Sequence, residues 1–184
     1  MIVESMVKTG KNDYQLSLIS LLFTCCLFAS LAGCKVSYSF TGASVSPEIK
    51  TISVQYFPNR SRGVVNPTLS QDFTDALKDR FKAQTSLELI NGIGDVNFEG
   101  EITNYRTQPM AITGTERAAL TRFTISISVK YSNIIDPEGN FDATFSRYED
   151  FESSIDFSSV EADLVEKILD QITEDVFNRA FVNW

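Results

Sequence analysis

Thiol and imidazole groups, which carry much of enzyme chemistry, are scarce in this sequence. It contains three cysteines and no histidine. Without histidine, the commonest general base near neutral pH and the commonest zinc ligand are missing. Cys25 and Cys26 lie within the apolar run from Leu16 to Ala32, and Cys34 follows that run. Redox pairs and thiolate metal sites are therefore excluded from the chain beyond Cys34, and Cys34 is the candidate for covalent modification.

Grouped carboxylates are the other potential catalytic groups. Glu149, Asp150 and Glu152 lie close together in the sequence. Paired carboxylates perform acid and base catalysis when burial raises the pKa of one of them. The segment around these three is polar, so the sequence predicts a solvated, charged stretch and a protein that is not an enzyme, with no cofactor.

The tetrapeptide Leu31-Ala32-Gly33-Cys34 resembles the lipobox of bacterial lipoproteins. The resemblance implies cleavage before Cys34, removal of residues 1–33 as a signal peptide, and acyl chains, palmitate among them, on Cys34. The preceding apolar run has 17 residues, which is short for a membrane span and suits a cleaved signal segment. The alternative is an uncleaved signal anchor, and translation could start at Met1 or Met6.

Composition places the remaining 151 residues in one globular domain. The net charge of −8 predicts that the protein binds nucleic acid poorly, because such binding requires an excess of lysine and arginine. Residues 34–49 are mostly small and polar and predict a lipidated tether, which leads into a domain at 50–184.

Periodicity predicts an α+β fold. Strand alternation at Thr51–Phe57 places Ile52, Val54 and Tyr56 on one face. A helix is predicted to begin at Asn66-Pro67, with an apolar stripe of Leu69, Phe73, Ala76, Leu77 and Phe81. A second strand follows, with Val96, Phe98, Gly100 and Ile102 on one face and a bulge near Asn104 that would turn Tyr105 to the same side.

The clearest alternation comes next. Phe123, Ile125, Ile127, Val129 and Tyr131 alternate with polar residues, which predicts a strand with one buried face. A turn at residues 136–139 leads to a fourth strand with Phe141, Ala143 and Phe145 inward, and residues 147–157 are predicted to leave the sheet. A second helix is predicted to open at Ser158 with a Glu161 capping box, followed by an apolar stripe of Val165, Ile168, Leu169, Ile172, Val176 and Ala180.

These elements predict a two-layer α+β sandwich, with one mixed four-stranded sheet, two helices on one face and the order β-α-β-β-β-α. A helical crossover makes the first two strands parallel, and the hairpins reverse the later strands. The ends of the first two strands and the start of the third then share one end of the domain. Five arginines are predicted there: Arg60, Arg62, Arg106, Arg117 and Arg122. They either bind an anionic glycolipid or pair locally with Glu116, Asp150 or Glu152.

Several short motifs, in this order, resemble the lipopolysaccharide-assembly lipoprotein family, LptE. They are Tyr38-Ser39-Phe40-Thr41-Gly42-Ala43, Asn66-Pro67-Thr68-Leu69-Ser70, Phe98-Glu99-Gly100-Glu101-Ile102, Ala111-Ile112-Thr113-Gly114, Phe145-Ser146-Arg147 and Phe177-Asn178-Arg179-Ala180-Phe181. The resemblance implies a lipid-anchored sheet covered by two helices that acts as plug and assembly partner of the outer-membrane barrel LptD while lipopolysaccharide reaches the outer leaflet.

The resemblance also implies that basic residues at one end bind lipopolysaccharide, a role that matches the five arginines by topology. Lys35, directly after the lipid-bearing cysteine, resembles the sorting pattern of lipoproteins in the outer membrane, facing the periplasm. The alternative is a free-standing lipoprotein that binds another envelope ligand or secretion channel, as pilotins do.

Overall fold

The computed structural model describes residues 45–62, 66–110 and 119–182. In chain order its elements are β1 (Thr51–Val54), α1 (Leu69–Gln84), β2 (Glu88–Leu89), β3 (Val96–Pro109), β4 (Leu120–Asn133), a 3₁₀ turn (Pro137–Gly139), β5 (Phe141–Glu152) and α2 (Phe157–Phe181). The sheet has the order β2-β1-β3-β4-β5. The predicted α+β class is confirmed, with one strand more than the four expected.

Strand directions follow the prediction. β1 runs parallel to β2 and β3, while β3, β4 and β5 form antiparallel neighbours. The β3 register shifts between Ile102 and Asn104, so the predicted bulge is confirmed. Because one extra residue reverses the alternation, Tyr105 returns to the covered face, where it is 7% exposed.

The core lies between β4 and the two helices. All five apolar residues of the β4 alternation are buried, as predicted, and they share this layer with the aromatic residues of the helices. Phe81 of α1 packs against Phe98 of β3 and against Phe177 and Phe181 of α2, with ring centroids 4.5, 6.3 and 5.7 Å away. Both predicted helical stripes therefore face one side of the sheet.

The prediction for β1 was wrong beyond Val54. Tyr56 is exposed, and Phe57 is fully buried with its ring 5.0 Å from Phe73 in an edge-on contact. The backbone N–H of Phe57 donates to the hydroxyl of Thr74 on α1 at 3.2 Å, so the chain has turned from the sheet towards the helix. Alternation fails here because the strand ends inside the pattern.

Two strand assignments also differ from the sequence prediction. β2 was missed because two residues, held to the β1 segment by bonds such as Glu88 N–H to Lys50 C=O at 2.8 Å, give no periodic signal. β5 was predicted to end before Arg147, yet it continues to Glu152. Its covered face is polar at Arg147, which pairs with Asp175 of α2, and at Glu149, which accepts a bond from Gln171. It is apolar again at Phe151, whose ring lies 5.8 Å from that of Phe157.

Both helices begin differently from the prediction. Helix α1 begins at Leu69, and the Asn66 side chain accepts bonds from the N–H and hydroxyl of Thr68, at 3.0 and 2.9 Å, instead of capping. Helix α2 is capped by Asp156, which accepts from the Ser158 N–H at 2.9 Å. Glu161 is not part of a capping box, since it accepts a hydrogen bond from the Tyr105 hydroxyl.

The last described turn of α2 is docked, since Phe181 is 3% exposed. No helix in the described part of the chain combines the length and the apolar character that crossing a membrane would require.

Candidate functional site

One end of the domain collects the candidate binding groups. β1 and β3 finish there, and α1 and α2 begin there, because each helix follows a strand and returns antiparallel to it. Arg60 and Arg62 follow β1, and Arg106 lies in the last part of β3. We call this region the arginine end, defined by Arg60, Arg62 and Arg106.

Arg62 and Arg106 line one cleft of about 770 Å³. Both are exposed, and neither forms an ion pair with another described residue. The cleft is completed by residues at the starts of both helices and by the β3 segment beside Arg106: Asn66, Pro67, Tyr105, Thr107, Asp156, Phe157, Ser158 and Glu161. Among the described residues, the cleft lining thus includes two arginines that form no ion pair and the two aromatic residues Tyr105 and Phe157.

The starts of two helices add to the electrostatics of this cleft. A helix N-terminus carries partial positive charge and N–H groups without helical partners. At α2 part of this capacity is used, because the N–H and hydroxyl of Ser158 donate to Asp156 and lower the pKa of its carboxyl below the usual value.

Glu161 is the other carboxylate of the cleft, and it accepts a hydrogen bond from the Tyr105 hydroxyl. Burial, together with the hydrogen bond to Glu161 and its negative charge, raises the pKa of the Tyr105 phenol well above 10.0. The phenol therefore stays protonated and donates to Glu161. Both carboxylates of the cleft have described partners, whereas Arg62 and Arg106 form no ion pair within the described part of the chain.

Arg60 lies beside the cleft rather than among its lining residues. Its backbone N–H donates to the Ile102 carbonyl at 2.8 Å, and the Ile102 N–H donates to the Pro58 carbonyl at 3.0 Å. These bonds fix the chain after β1 against β3, next to the bulge. The exposed Arg60 side chain therefore starts from a fixed backbone.

Arg122 differs from Arg62 and Arg106 because it does not line the cleft and has an ion-pair partner among the described residues. It lies on the sheet face opposite the helices, where its Nε and Nη2 atoms donate to the two Asp150 oxygens, each at 2.8 Å. The guanidinium carbon also lies 3.6 Å from the Tyr148 ring centroid. The bond to Asp150 raises the pKa of Arg122 and lowers that of Asp150. The local pairing considered from sequence applies to Arg122, which is not part of the cleft.

The face of the sheet opposite the helices is polar and largely hydroxylic. Along β4 it presents Thr124, Ser126 and Ser128, all partly exposed. The hydroxyls of Ser126 and Ser146 lie 2.9 Å apart, and Lys130 contacts Glu99 at 2.7 Å. This open face therefore offers donors and acceptors across neighbouring strands. The sequence predicted the polar alternation of β4 but not the contact between Arg122 and the Tyr148 ring.

Some predicted features lie outside the described residues. They are the signal peptide at 1–33, Cys34 and most of the tether, the Ala111–Gly114 motif, Arg117 and Glu116. Tyr105 and Phe157 were not predicted as site residues. The bulge near Asn104 was the sequence signal that could have directed attention to Tyr105.

Comparison with solved structures finds lipoproteins of low sequence identity. A minor lipoprotein from Acinetobacter baumannii is 11% identical, with 71% of this chain and 91% of that chain covered and a TM-score of 0.47. Lipoprotein B from Nitrosomonas europaea is 10% identical, with 79% and 88% covered and a TM-score of 0.45. Rare lipoprotein B from Shewanella oneidensis is 7% identical, with 70% and 89% covered and a TM-score of 0.40. All three scores lie below 0.5, so these likenesses carry no argument about function.

No curated protein matches the sequence. The model of the LptE family, described as lipopolysaccharide-assembly, matches residues 49–180. That range includes every described strand and nearly all of α2. The chain therefore belongs to the LptE lipopolysaccharide-assembly family.

Proposed function

We propose that this protein is a non-enzymatic, lipid-anchored subunit of the outer membrane that assembles with the LptD barrel and binds lipopolysaccharide at its arginine end. The observation that carries the ligand assignment is the cleft shared by Arg62 and Arg106. Lipopolysaccharide is an anionic glycolipid, and guanidinium groups bind phosphate and carboxylate in a bidentate manner. Two arginines that have no ion pair among the described residues, beside two helix starts, suit such a ligand.

The open face supports the barrel assignment. The lumen of a porin-type barrel is polar and accepts surfaces that form hydrogen bonds. Ser126, Ser146 and Thr124 present small hydroxyl groups on a sheet face that no described helix covers. A face of this kind can contact the inner wall of a barrel without leaving buried polar groups unsatisfied.

Membrane attachment is proposed to run through Cys34. In this proposal residues 1–33 are removed, Cys34 carries acyl chains, residues 34–49 form the tether, and residues 50–184 form the domain facing the periplasm. The 15 residues from Lys35 to Ile49 could extend about 50 Å. More than one acyl chain is needed for stable anchoring, as lipoproteins have.

Charge reversal tests the ligand site. The double variant Arg62→Glu/Arg106→Glu should bind purified lipopolysaccharide at least about tenfold more weakly, because charge-assisted hydrogen bonds to the ligand are replaced by repulsion. The matched control is Lys50→Glu/Arg179→Glu, which changes the net charge equally at the opposite end. Equal binding by wild type and the first variant, at unchanged melting temperature, would refute the site.

The partner proposal has a separate test. Tagged protein extracted in mild detergent should recover LptD, and Cys34→Ser should reduce its recovery from the membrane fraction. Recovery of this protein without LptD, together with normal lipopolysaccharide transport after depletion, would favour a pilotin-like lipoprotein instead.

A further inference from the structure

The outer edge of the sheet is a long strand. β5 has 12 residues and pairs with β4 along one side. No strand in the described part of the chain pairs with its other side. The opposite edge, β2, has only two residues. Unpaired N–H and C=O groups along an edge strand are a template for pairing with another chain.

The direction of the β5 backbone groups follows from its ladder with β4. The register runs without a shift from Leu120 opposite Glu152 to Tyr131 opposite Phe141, and just beyond it the Ser153 N–H donates to the Ala119 carbonyl at 2.9 Å. In an antiparallel pair, residues that exchange both bonds alternate with residues whose backbone groups point away. Odd-numbered residues of β5 therefore point to β4.

The outward backbone groups belong to the even-numbered residues. All six of these residues are exposed: Asp142, Thr144, Ser146, Tyr148, Asp150 and Glu152. Their side chains lie on the open face, where Asp150 is held by Arg122. An added strand would consequently find outward donors and acceptors from Asp142 to Asp150, whereas the Glu152 carbonyl already accepts a bond from the Ile155 N–H at 3.0 Å.

A cavity lies beside the middle of this edge. It has a volume of about 460 Å³ and is lined by the β5 residues from Ser146 to Asp150 together with Gln171 of α2. Gln171 donates to Glu149 at 2.8 Å, and Arg147 binds Asp175 through two bonds of 2.6 Å. These contacts hold α2 over β5, so the space is bounded by strand and helix and can receive a side chain.

The charge of β5 selects the partner. The strand carries four carboxylates, on Asp142, Glu149, Asp150 and Glu152. Asp150 is paired with Arg122, and the one cation of the strand, Arg147, is engaged with Asp175. Like charges on paired strands are destabilising. Pairing with a second copy of β5 would bring these carboxylates together, whereas a strand bearing lysine or arginine would be attracted.

We propose that the free edge of β5 binds an extended, lysine- or arginine-bearing segment of a partner protein by strand addition. The backbone of the partner pairs with the even-numbered residues, and one of its cationic side chains enters the cavity beside Glu149. Main-chain bonds give affinity in this mode of recognition, and the side-chain pocket gives specificity. This surface is separate from the arginine end and does not depend on lipid binding.

Hydrogen–deuterium exchange on the full-length chain in detergent tests the proposal. The probe is a synthetic peptide in which lysine alternates with valine. Amides of the even-numbered β5 residues should exchange fast in the free protein and at least about tenfold more slowly with this peptide. Two control peptides, one with glutamate in place of lysine and one with proline in place of valine, should protect them little.

Two variants separate backbone pairing from charge. Thr144→Pro removes an outward N–H and leaves the ladder with β4 intact, so it should weaken peptide binding with little loss of stability. Asp142→Lys/Glu152→Lys leaves the backbone unchanged and should reverse the preference in favour of the glutamate peptide.

Three results would overturn strand addition by a cationic segment. The first is protection of the even amides without peptide that increases with protein concentration, which identifies a second copy as the partner. The second is equal binding of the valine- and proline-containing lysine peptides. The third is peptide binding that neither variant changes.

Discussion

Arg122 and Asp150 face each other across neighbouring strands, with two donor–acceptor distances of 2.8 Å between the guanidinium and the carboxylate. The register places them directly opposite each other, and Tyr148 lies against the guanidinium. The pair is about 30% exposed on each side chain. It therefore acts as a clamp between β4 and β5 on the open face, and Arg122 does not line the cleft of Arg62 and Arg106.

This clamp predicts a pH dependence. Arg122 lowers the pKa of Asp150 below 3.8, so the contribution of the pair is complete above that value and disappears as the pH falls through the lowered pKa. Asp150→Asn should therefore melt at a slightly lower temperature than wild type at pH 7, and the difference should vanish in strong acid. Thermal melts across an acid series measure it.

The control for this series is Glu138→Gln, which removes one negative charge in the exposed 3₁₀ turn. Its melting temperature should differ from that of wild type by a similar amount throughout the acid series. A difference between Asp150→Asn and wild type that stays constant down to strong acid would contradict the assigned role of the carboxylate.

The buried face of β4 predicts a large loss of stability when one of its side chains is truncated. Ile127 is fully buried and pairs with Ile102 and Phe145. Ile127→Ala should lower the free energy of unfolding by about 2 to 5 kcal/mol, because it leaves a cavity between sheet and helices. Ser128→Ala on the open face is the neighbouring control and should stay within about 0.5 kcal/mol. Urea unfolding of both variants measures the difference, and similar values would remove Ile127 from the core.

The central strands and helices could be predicted from sequence because burial on one face imposes a simple period. From Arg122 to Tyr131 each inward residue of β4 is apolar and each outward one is polar, and both helices carry wide apolar stripes. Prediction from the period failed where hydrogen bonds or ion pairs, rather than apolar burial, determine which way a residue faces. Phe57 turns inward after β1, where Thr74 accepts its N–H, and β5 continues past Arg147, where the ion pair with Asp175 replaces an apolar contact.

The candidate site was predictable in part for a related reason. Strand direction fixes which ends meet, and this placed Arg62 and Arg106 at one end of the domain. The face on which a side chain lies depends on alternation, and Arg122 alternates with Phe123, so it had to lie opposite the helices. Its partner Asp150 had been considered as a local partner but assigned to a segment outside the sheet, so the register that places the two residues opposite each other was not predicted.

Gly100 predicts a second kind of core defect. A Cβ at this position would lie 2.0 Å from the Ser128 carbonyl oxygen and 2.7 Å from the Phe57 ring. Gly100→Ala should therefore push β3 away from β4 and cost about 1 to 3 kcal/mol in the free energy of unfolding. Gly139→Ala, where a Cβ meets nothing within 4 Å, is the control. If both variants unfold at the same urea concentration as wild type, β3 and β4 do not approach each other closely at Gly100.

The Tyr105–Glu161 contact predicts behaviour at alkaline pH. Burial of Tyr105 raises the pKa of its phenol above 10.0, so its contribution to stability is complete below pH 10 and is lost as the pH rises through the raised value. Tyr105→Phe should cost about 1 kcal/mol at neutral pH, because Glu161 loses its donor. Above pH 10, wild type should lose stability more steeply than this variant, in urea titrations at a series of pH values. Tyr56→Phe, at a position that is 58% exposed, should follow the wild-type curve. If the free energies of unfolding of wild type and Tyr105→Phe fall in parallel above pH 10, the protonated phenol does not stabilise the arginine end.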